Sequence, residues 1–352
     1  MEYYFYATNA WCDFERTAPY IVKFYNKGAV AKIVFDDASY SDFIKELNLS
    51  DCIEKFGGVK AFGVDGFLYN ITAKGSIKCE KYPSNYPKLH FKSQNQSVNG
   101  YNSDLAYKER ILNDIKHGKV KKSSKGILGF NKYLYVNEDI NFVMPYRFKK
   151  AKKTGQPLVV YFAGGGTLGH DNWNPLREFL GFSGGNKIIK SGCNILIPQM
   201  MRVFDKEDTD NTINDRLTVN CALLIKQLLK ENDIDNNRIY VYGTSLGGKC
   251  VWSALLNSPN LYAVAVEAMG EYLHYETLKK ADFETISHVP IWMAHSSDDK
   301  VVNIASDDYF YDNLKSLGAN VKYTRWDKYG HAMASKFYKK EPWVEWMFSQ
   351  SK

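Results

Sequence analysis

Arg238-Ile239-Tyr240-Val241-Tyr242-Gly243-Thr244-Ser245-Leu246-Gly247-Gly248-Lys249 passes from an apolar run through Gly-x-Ser-x-Gly into a second apolar segment, Cys250-Val251-Trp252 with Ala254 and Leu255. The pattern predicts a strand buried on both faces that turns sharply into a helix. So tight a turn forces the serine into a strained backbone conformation, and the flanking glycines let strand and helix approach without a Cβ clash. Ser245 is then expected to stand above the C-terminal edge of a sheet. There its hydroxyl can meet a base, and the backbone N–H of Leu246 at the helix start can donate to a developing oxyanion.

Working outward, strand-like runs at Leu158–Ala163, Asn194–Ile197, Ile239–Tyr242, Tyr262–Ala268, Ile291–His295 and Val321–Trp326 alternate with helical segments. Several are continuously apolar, as strands covered on both faces are. The clearest helix is Ile213–Lys230, where Ile213, Leu217, Cys221, Leu224, Ile225, Leu228 and Leu229 form one apolar stripe. The alternation predicts an α/β fold with a doubly wound, mostly parallel sheet. The length of 352 residues suggests two domains at roughly 150 residues each. The polar, basic stretch at about 117–126 reads as the linker, giving a smaller mixed α+β domain over 1–120 and the sheet domain over 121–352. Within the first, Phe67–Thr72 and Ser76–Glu80 flank Ala73-Lys74-Gly75 as a hairpin, and Tyr40–Phe56 and Asp104–Ile115 have helical spacing.

Composition narrows the function. Charged residues at 24% and hydrophobic ones at 45% describe an ordinary globular chain. The net charge of +7 is spread along the sequence, which argues against a dedicated nucleic-acid binder. No apolar stretch approaches the ~18 residues of a membrane span. Met1-Glu2-Tyr3-Tyr4-Phe5-Tyr6 lacks the n- and h-regions of a signal peptide, so the chain as it stands reads as cytoplasmic, and as secreted only if an export signal has been removed. The six cysteines are widely spaced with no C-x-x-C pair, pointing to free thiols, no metal site and no cofactor held by cysteine. The sequence leaves the oligomeric state open.

A nucleophilic serine needs a base, and the base needs an orienting carboxylate, following in the order Ser, Asp, His. The run Pro290-Ile291-Trp292-Met293-Ala294-His295 leads into Ser296-Ser297-Asp298-Asp299-Lys300, which sets two acids just past the end of a strand. Asp299 is preferred as the orienting acid, with Asp298 as a turn-forming surface residue. The strand Val321–Trp326 leads through Asp327-Lys328-Tyr329-Gly330 to His331, the preferred base among seven histidines. His295, inside a strand end, reads as a packed or hydrogen-bonded core residue. Leu158–Ala163 ends in Gly164-Gly165-Gly166-Thr167-Leu168-Gly169, a loop whose N–H groups, Gly165 first, can complete an oxyanion hole with Leu246.

Two phosphate-binding patterns overlap these residues and fail on chemistry. Gly243-x-x-x-x-Gly248-Lys249 is followed by Cys250 where Mg²⁺ coordination needs a hydroxyl. Gly164-x-Gly166-x-x-Gly169 spells a dinucleotide loop, but the next strand ends in Ile197-Pro198-Gln199, with no acid for a ribose.

From about Ile140 onward the chain resembles the α/β-hydrolase carboxylesterases often labelled predicted peptidases, which are related to feruloyl esterases and polyhydroxybutyrate depolymerases. The resemblance rests on Pro157–Phe162 with Gly164-Gly165-Gly166 and Gly169-His170-Asp171-Asn172, on Ile197-Pro198-Gln199, on Asn237–Val241 with Gly243–Gly248, on Pro290–His295 with Asp299-Lys300-Val301-Val302, and on Gly330-His331 followed by Trp343–Met347. It departs from the family at Ala163-Gly164 and at His295-Ser296, each of which is usually His-Gly. The resemblance implies an α/β-hydrolase fold, Ser245 as nucleophile, Asp299 as acid, His331 as base, and Leu246 and Gly165 in the oxyanion hole. It also implies a cofactor-free, metal-free carboxylesterase acting on an acyl ester of a carbohydrate or small alcohol. Two other readings share these residues. One passes the acyl group to a glycan hydroxyl in surface-polysaccharide assembly through the same acyl-enzyme. The other makes the fold a non-catalytic binding module.

Overall fold

The structure is a computed structural model describing residues 93–120, 123–170, 172–201 and 210–352, together with six strands within the first 80 residues. The chain divides into two compact units, Met1–Phe91 and Lys92–Lys352. The first unit contains β1 (Tyr3–Ala7), β2 (Tyr20–Phe24), β3 (Val30–Phe35), β4 (Gly58–Gly63), β5 (Leu68–Thr72) and β6 (Ile77–Glu80) in one sheet of order β3-β2-β1-β4-β5-β6. β5 and β6 pair antiparallel, Leu68 opposite Glu80, as the two arms expected of a hairpin. Its turn, and the helical spacing read over Tyr40–Phe56, lie outside the described residues.

The second unit opens with α1 (Ser93–Lys116), which contains the expected Asp104–Ile115 segment. Ile111 of α1 packs with Val143 and Met201. The stretch 117–126, expected as an interdomain linker, therefore lies inside the second unit, and the division falls at 91/92 instead. The reason is edge-strand chemistry. β7 (Ser123–Ile127) pairs antiparallel with β8 (Phe130–Asn137) at the rim of the main sheet, and serine and lysine suit a rim strand as well as they suit a linker.

Nine strands form the main sheet. They are β7, β8, β9 (Phe142–Lys149), β10 (Gln156–Phe162), β11 (Asn194–Pro198), β12 (Ile234–Thr244), β13 (Val264–Ala268), β14 (Ile291–Ser296) and β15 (Val321–Trp326), in the order β15-β14-β13-β12-β10-β11-β9-β8-β7. The run from β11 to β15 is parallel, and β9, β8 and β7 add antiparallel strands at one end. The chain winds from β10 out to β11, then returns past β10 to β12. The strand order reverses there, and the crevice at the C-terminal ends of β10 and β12 is where a ligand site is expected in such a sheet.

Both faces are covered, which explains the unbroken apolar runs. Leu158, Val160, Phe162, Ile239 and Val241 point to one side and share a cluster with Leu217, Leu224 and Leu228 of α4 (Asp210–Glu231), Val251 and Leu255 of α5 (Leu246–Asn257), Phe283 of α6 (Lys280–Ile286) and Phe310 of α7 (Ala305–Ser316). The alternate residues meet aromatic side chains. Tyr161 packs on Phe179 of α2 (Asn174–Gly181), and Tyr242 packs on Tyr338 of α8 (Met333–Lys340) and Trp343 of α9 (Trp343–Phe348). Each such ring pair adds roughly 0.5–1.5 kcal/mol beyond its buried area.

The packing of α5 is closest where it leaves β12. A Cβ on Gly247 would lie 1.9 Å from the Phe162 carbonyl oxygen of β10, and one on Gly243 would lie 2.2 Å from the Gly247 carbonyl oxygen. Main chain meets main chain on both sides, so nothing flexible can give way. Gly247→Ala is expected to destabilise the protein by about 3 kcal/mol, the upper end of overpacking costs. Gly166→Ala, where an added Cβ has nothing within 4 Å, should stay within about 0.5 kcal/mol. Urea denaturation of both variants reads the difference.

Candidate active site

The close approach of α5 fixes Ser245. Its backbone sits at φ 57°, ψ −119°, a conformation that costs a non-glycine residue of order 1–3 kcal/mol. It is held by the Ser245 N–H donating to the Ala268 carbonyl at 2.8 Å and by the Lys249 N–H donating to the Ser245 carbonyl at 3.1 Å. The side chain is thereby presented at the C-terminal end of β12, beside β10.

His331 comes from the short 3₁₀ turn Gly330–Ala332 after β15. Its Nε2 lies 3.1 Å from Ser245 Oγ and its Nδ1 lies 2.7 Å from Asp299 Oδ2. The Asp299 side chain is closed to solvent, whereas that of His331 is 30% exposed. Asp299 Oδ1 accepts the Val301 and Val302 N–H groups at 2.8 and 3.1 Å. Burial pushes the Asp299 carboxyl up, but the hydrogen bond from His331 and the two amides outweigh it and hold the group below its ordinary value. The neighbouring acid faces elsewhere. Asp298 Oδ1 accepts the Ser296 hydroxyl at 2.6 Å and the Gly330 N–H at 2.8 Å, and these bonds depress its pKa. Asp298 is an exposed turn residue, and it also ties the exit of β14 to the turn that carries His331.

On the opposite lip, Gly165 opens the 3₁₀ turn Gly165–Thr167. A Cβ added there would lie 3.8 Å from the Leu246 side chain, so the two expected oxyanion donors adjoin. Two buried residues that sequence reasoning did not find hold this loop. Glu178 Oε1, on α2, accepts the Gly164 N–H at 2.7 Å and the Tyr161 hydroxyl at 2.6 Å. Burial pushes the Glu178 carboxyl up, against those two hydrogen bonds that favour its charge. Gln199, just past β11, accepts the Asn172 N–H and donates to the Thr167 carbonyl at 3.0 Å. Because Glu178 occupies the Gly164 N–H, Gly165 is the first amide of the loop free to face a ligand. Further along the loop, Thr167 and Leu168 line a small apolar recess with Met200, Leu217 and Cys250.

Two further histidines have carboxylate partners. His295 is buried and bonds Asp307, and His170 Nδ1 lies 2.5 Å from Asp104 of α1. Among the described residues no group of three or more His, Cys, Asp or Glu side chains is placed to hold a metal ion, and no helix is long and apolar enough to cross a membrane. Cys193, Cys221 and Cys250 are free and buried.

The sheet order, the strained serine at the switch point and the loops around it give the second unit the α/β-hydrolase fold. Residues 199–340 match the phospholipase/carboxylesterase family. Among solved structures, a thermostable esterase is similar at 27% identity with a TM-score of 0.56, over 64% of this chain and 64% of that one. The chain thus spans slightly less than two thirds of that relative. Esterase 2 of the planctomycete Thermogutta terrifontis in its native form is similar at 15% identity and TM-score 0.46, over 62% of this chain and 88% of that one. Est1E of Butyrivibrio proteoclasticus is similar at 12% identity and TM-score 0.48, over 62% and 99%. No curated protein matches the chain by sequence.

Glu178 offers a direct check on how the loop is held. Glu178→Ala leaves the Gly164 N–H unpaired and the Tyr161 hydroxyl with Ser183 as its partner, and is expected to cost about 1–3 kcal/mol, with ester turnover falling at least about tenfold as the loop carrying Gly165 loosens. Glu178→Gln retains an acceptor and should lose much less of both, read by denaturation and by p-nitrophenyl acetate kinetics.

Proposed function

We propose that this chain is a serine carboxylesterase that hydrolyses an acyl ester of a carbohydrate or small alcohol through an acyl-enzyme. The observation that carries the reading is the unbroken hydrogen-bonded line Ser245 Oγ, His331 Nε2, His331 Nδ1, Asp299 Oδ2, with spacings of 3.1 and 2.7 Å. Asp299 accepts the Nδ1 hydrogen, which leaves Nε2 as the basic nitrogen facing the serine. His331 takes the Ser245 proton as Oγ attacks the ester carbonyl. The carbonyl oxygen becomes an oxyanion held by the Leu246 and Gly165 N–H groups, each donor of this kind lowering the barrier by about 3–4 kcal/mol. Collapse expels the alcohol, which leaves with the proton from His331. A water molecule then gives its proton to His331 and attacks the acyl-enzyme, releasing the acid and restoring Ser245.

The substrate class has separate support. Trp326, at the end of β15, and Tyr329, two residues before His331, pack edge to face at 5.1 Å and remain half-buried, offering rings on which a sugar can stack.

The adjacent acids provide the test. Asp299→Asn should leave the fold intact and cut kcat by roughly 10⁴, as when a triad acid is lost and the wrong tautomer is held. Asp298→Asn keeps an oxygen able to accept from Ser296 and Gly330, and should cost less than about tenfold. If p-nitrophenyl acetate kinetics on folded variants gave the reverse order, Asp299 could not be the orienting acid.

A further inference from the structure

Behind Asp299 lies a buried string of ionisable groups with no part in the steps just described. The His295 side chain, at the end of β14, has no solvent exposure, and its Nδ1 lies 2.6 Å from Asp307 Oδ2 of α7. Its Nε2 lies 3.4 Å from Asp299 Oδ2, the oxygen that also bonds His331, and 3.3 Å from the Val302 carbonyl oxygen. Both ring nitrogens therefore face oxygens only. A neutral imidazole carries one N–H and one bare lone pair. Burial pushes the Asp307 carboxyl up, against the bonds from His295 and Trp252 that favour its charge; with both aspartates ionised, whichever ring nitrogen were bare would turn its lone pair on oxygen lone pairs in a place closed to solvent, an arrangement with no compensating bond.

We propose that His295 is held as an imidazolium donating from both nitrogens, and that its charge tempers the field of Asp299 on His331. It is a positioning residue, and the proposal rests on the triad reading above.

The surroundings agree. Asp299 faces the ring from the loop after β14, and Asp307 faces it from α7. Beyond Asp307 stands Glu267 of β13, whose carboxyl is pushed far up by burial first and by Asp307 second. From α5, Trp252 Nε1 donates to Asp307 Oδ1 at 3.3 Å. From β15, Tyr323 donates to Asp308 at 2.9 Å, and Arg325 pairs with Asp308 at 3.1 Å. Among the described residues no lysine or arginine pairs with Asp299, Asp307 or Glu267. Two carboxylates thus share one available cation. Burial alone would lower the His295 pKa, but Asp307 and then Asp299 outweigh it and leave it raised.

A cation on the far side of Asp299 weakens the pull of that carboxylate on the proton of His331. Two measurements test this. Nitrogen-15 NMR of the histidine-labelled protein near neutral pH should show both His295 nitrogens protonated, and a bare nitrogen at either position overturns the proposal. This spectrum needs no turnover, so it stands or falls independently of the esterase reading. In His295→Gln the acid limb of the kcat/KM profile should move up by about one pH unit. A folded variant whose kcat falls with the limb unmoved would assign His295 a packing role alone. If the variant does not fold, the NMR result on the native protein decides.

Discussion

The contact between Gly247 and the main chain of β10 governs the geometry of the whole site. With a Cβ position 1.9 Å from the Phe162 carbonyl oxygen, α5 lies as near the sheet as a helix can. That nearness leaves Ser245 a turn too short for an ordinary backbone, hence its φ of 57°. It also brings the start of α5 alongside the loop after β10, so Leu246 and Gly165 adjoin. Strain at one residue is offset by the apolar layers on both faces of the sheet, which hold strand and helix in register. A nucleophile carried on a mobile loop would have no such constraint.

Around this point, carboxyl groups divide the work by environment. Asp299 is closed to solvent but receives three hydrogen bonds, so it keeps its charge. Asp298, one residue away, bonds the Ser296 hydroxyl and the Gly330 amide and fixes the approach of the His331 turn. Glu178 anchors the opposite loop. Glu267, buried in the core, has its carboxyl pushed far up by burial and by Asp307. Identical chemistry thus serves orientation, anchoring and packing, and neighbours decide which.

Much of this was legible in the residues. Gly-x-Ser-x-Gly between an apolar strand and an apolar helix locates Ser245 because the turn has few alternatives. Asp299 and His331 follow because each sits just past a strand, β14 and β15, in the order Ser, Asp, His. The strands β7 and β8 were not legible, because their polar, partly exposed patterns resemble linker and loop, and β9, though buried, is interrupted by Pro145 and Arg147. The placement of the 117–126 stretch inside the second unit follows from that. Glu178 and Gln199 were invisible for another reason. Their partners are backbone amides and carbonyls brought near by folding, and no spacing along the chain announces such a contact. His295 could be read as buried and hydrogen-bonded from its position in β14, but its proximity to Asp299 depends on the turn at 297–299 folding back.

The central claim is that Ser245 is an activated nucleophile. A fluorophosphonate probe, followed by peptide mass spectrometry, tests it most directly. The account requires the native protein to carry the phosphonyl group on Ser245, and Ser245→Ala, shown folded by circular dichroism, to carry none. Equal labelling of the two proteins, or no labelling of the native one, would contradict it.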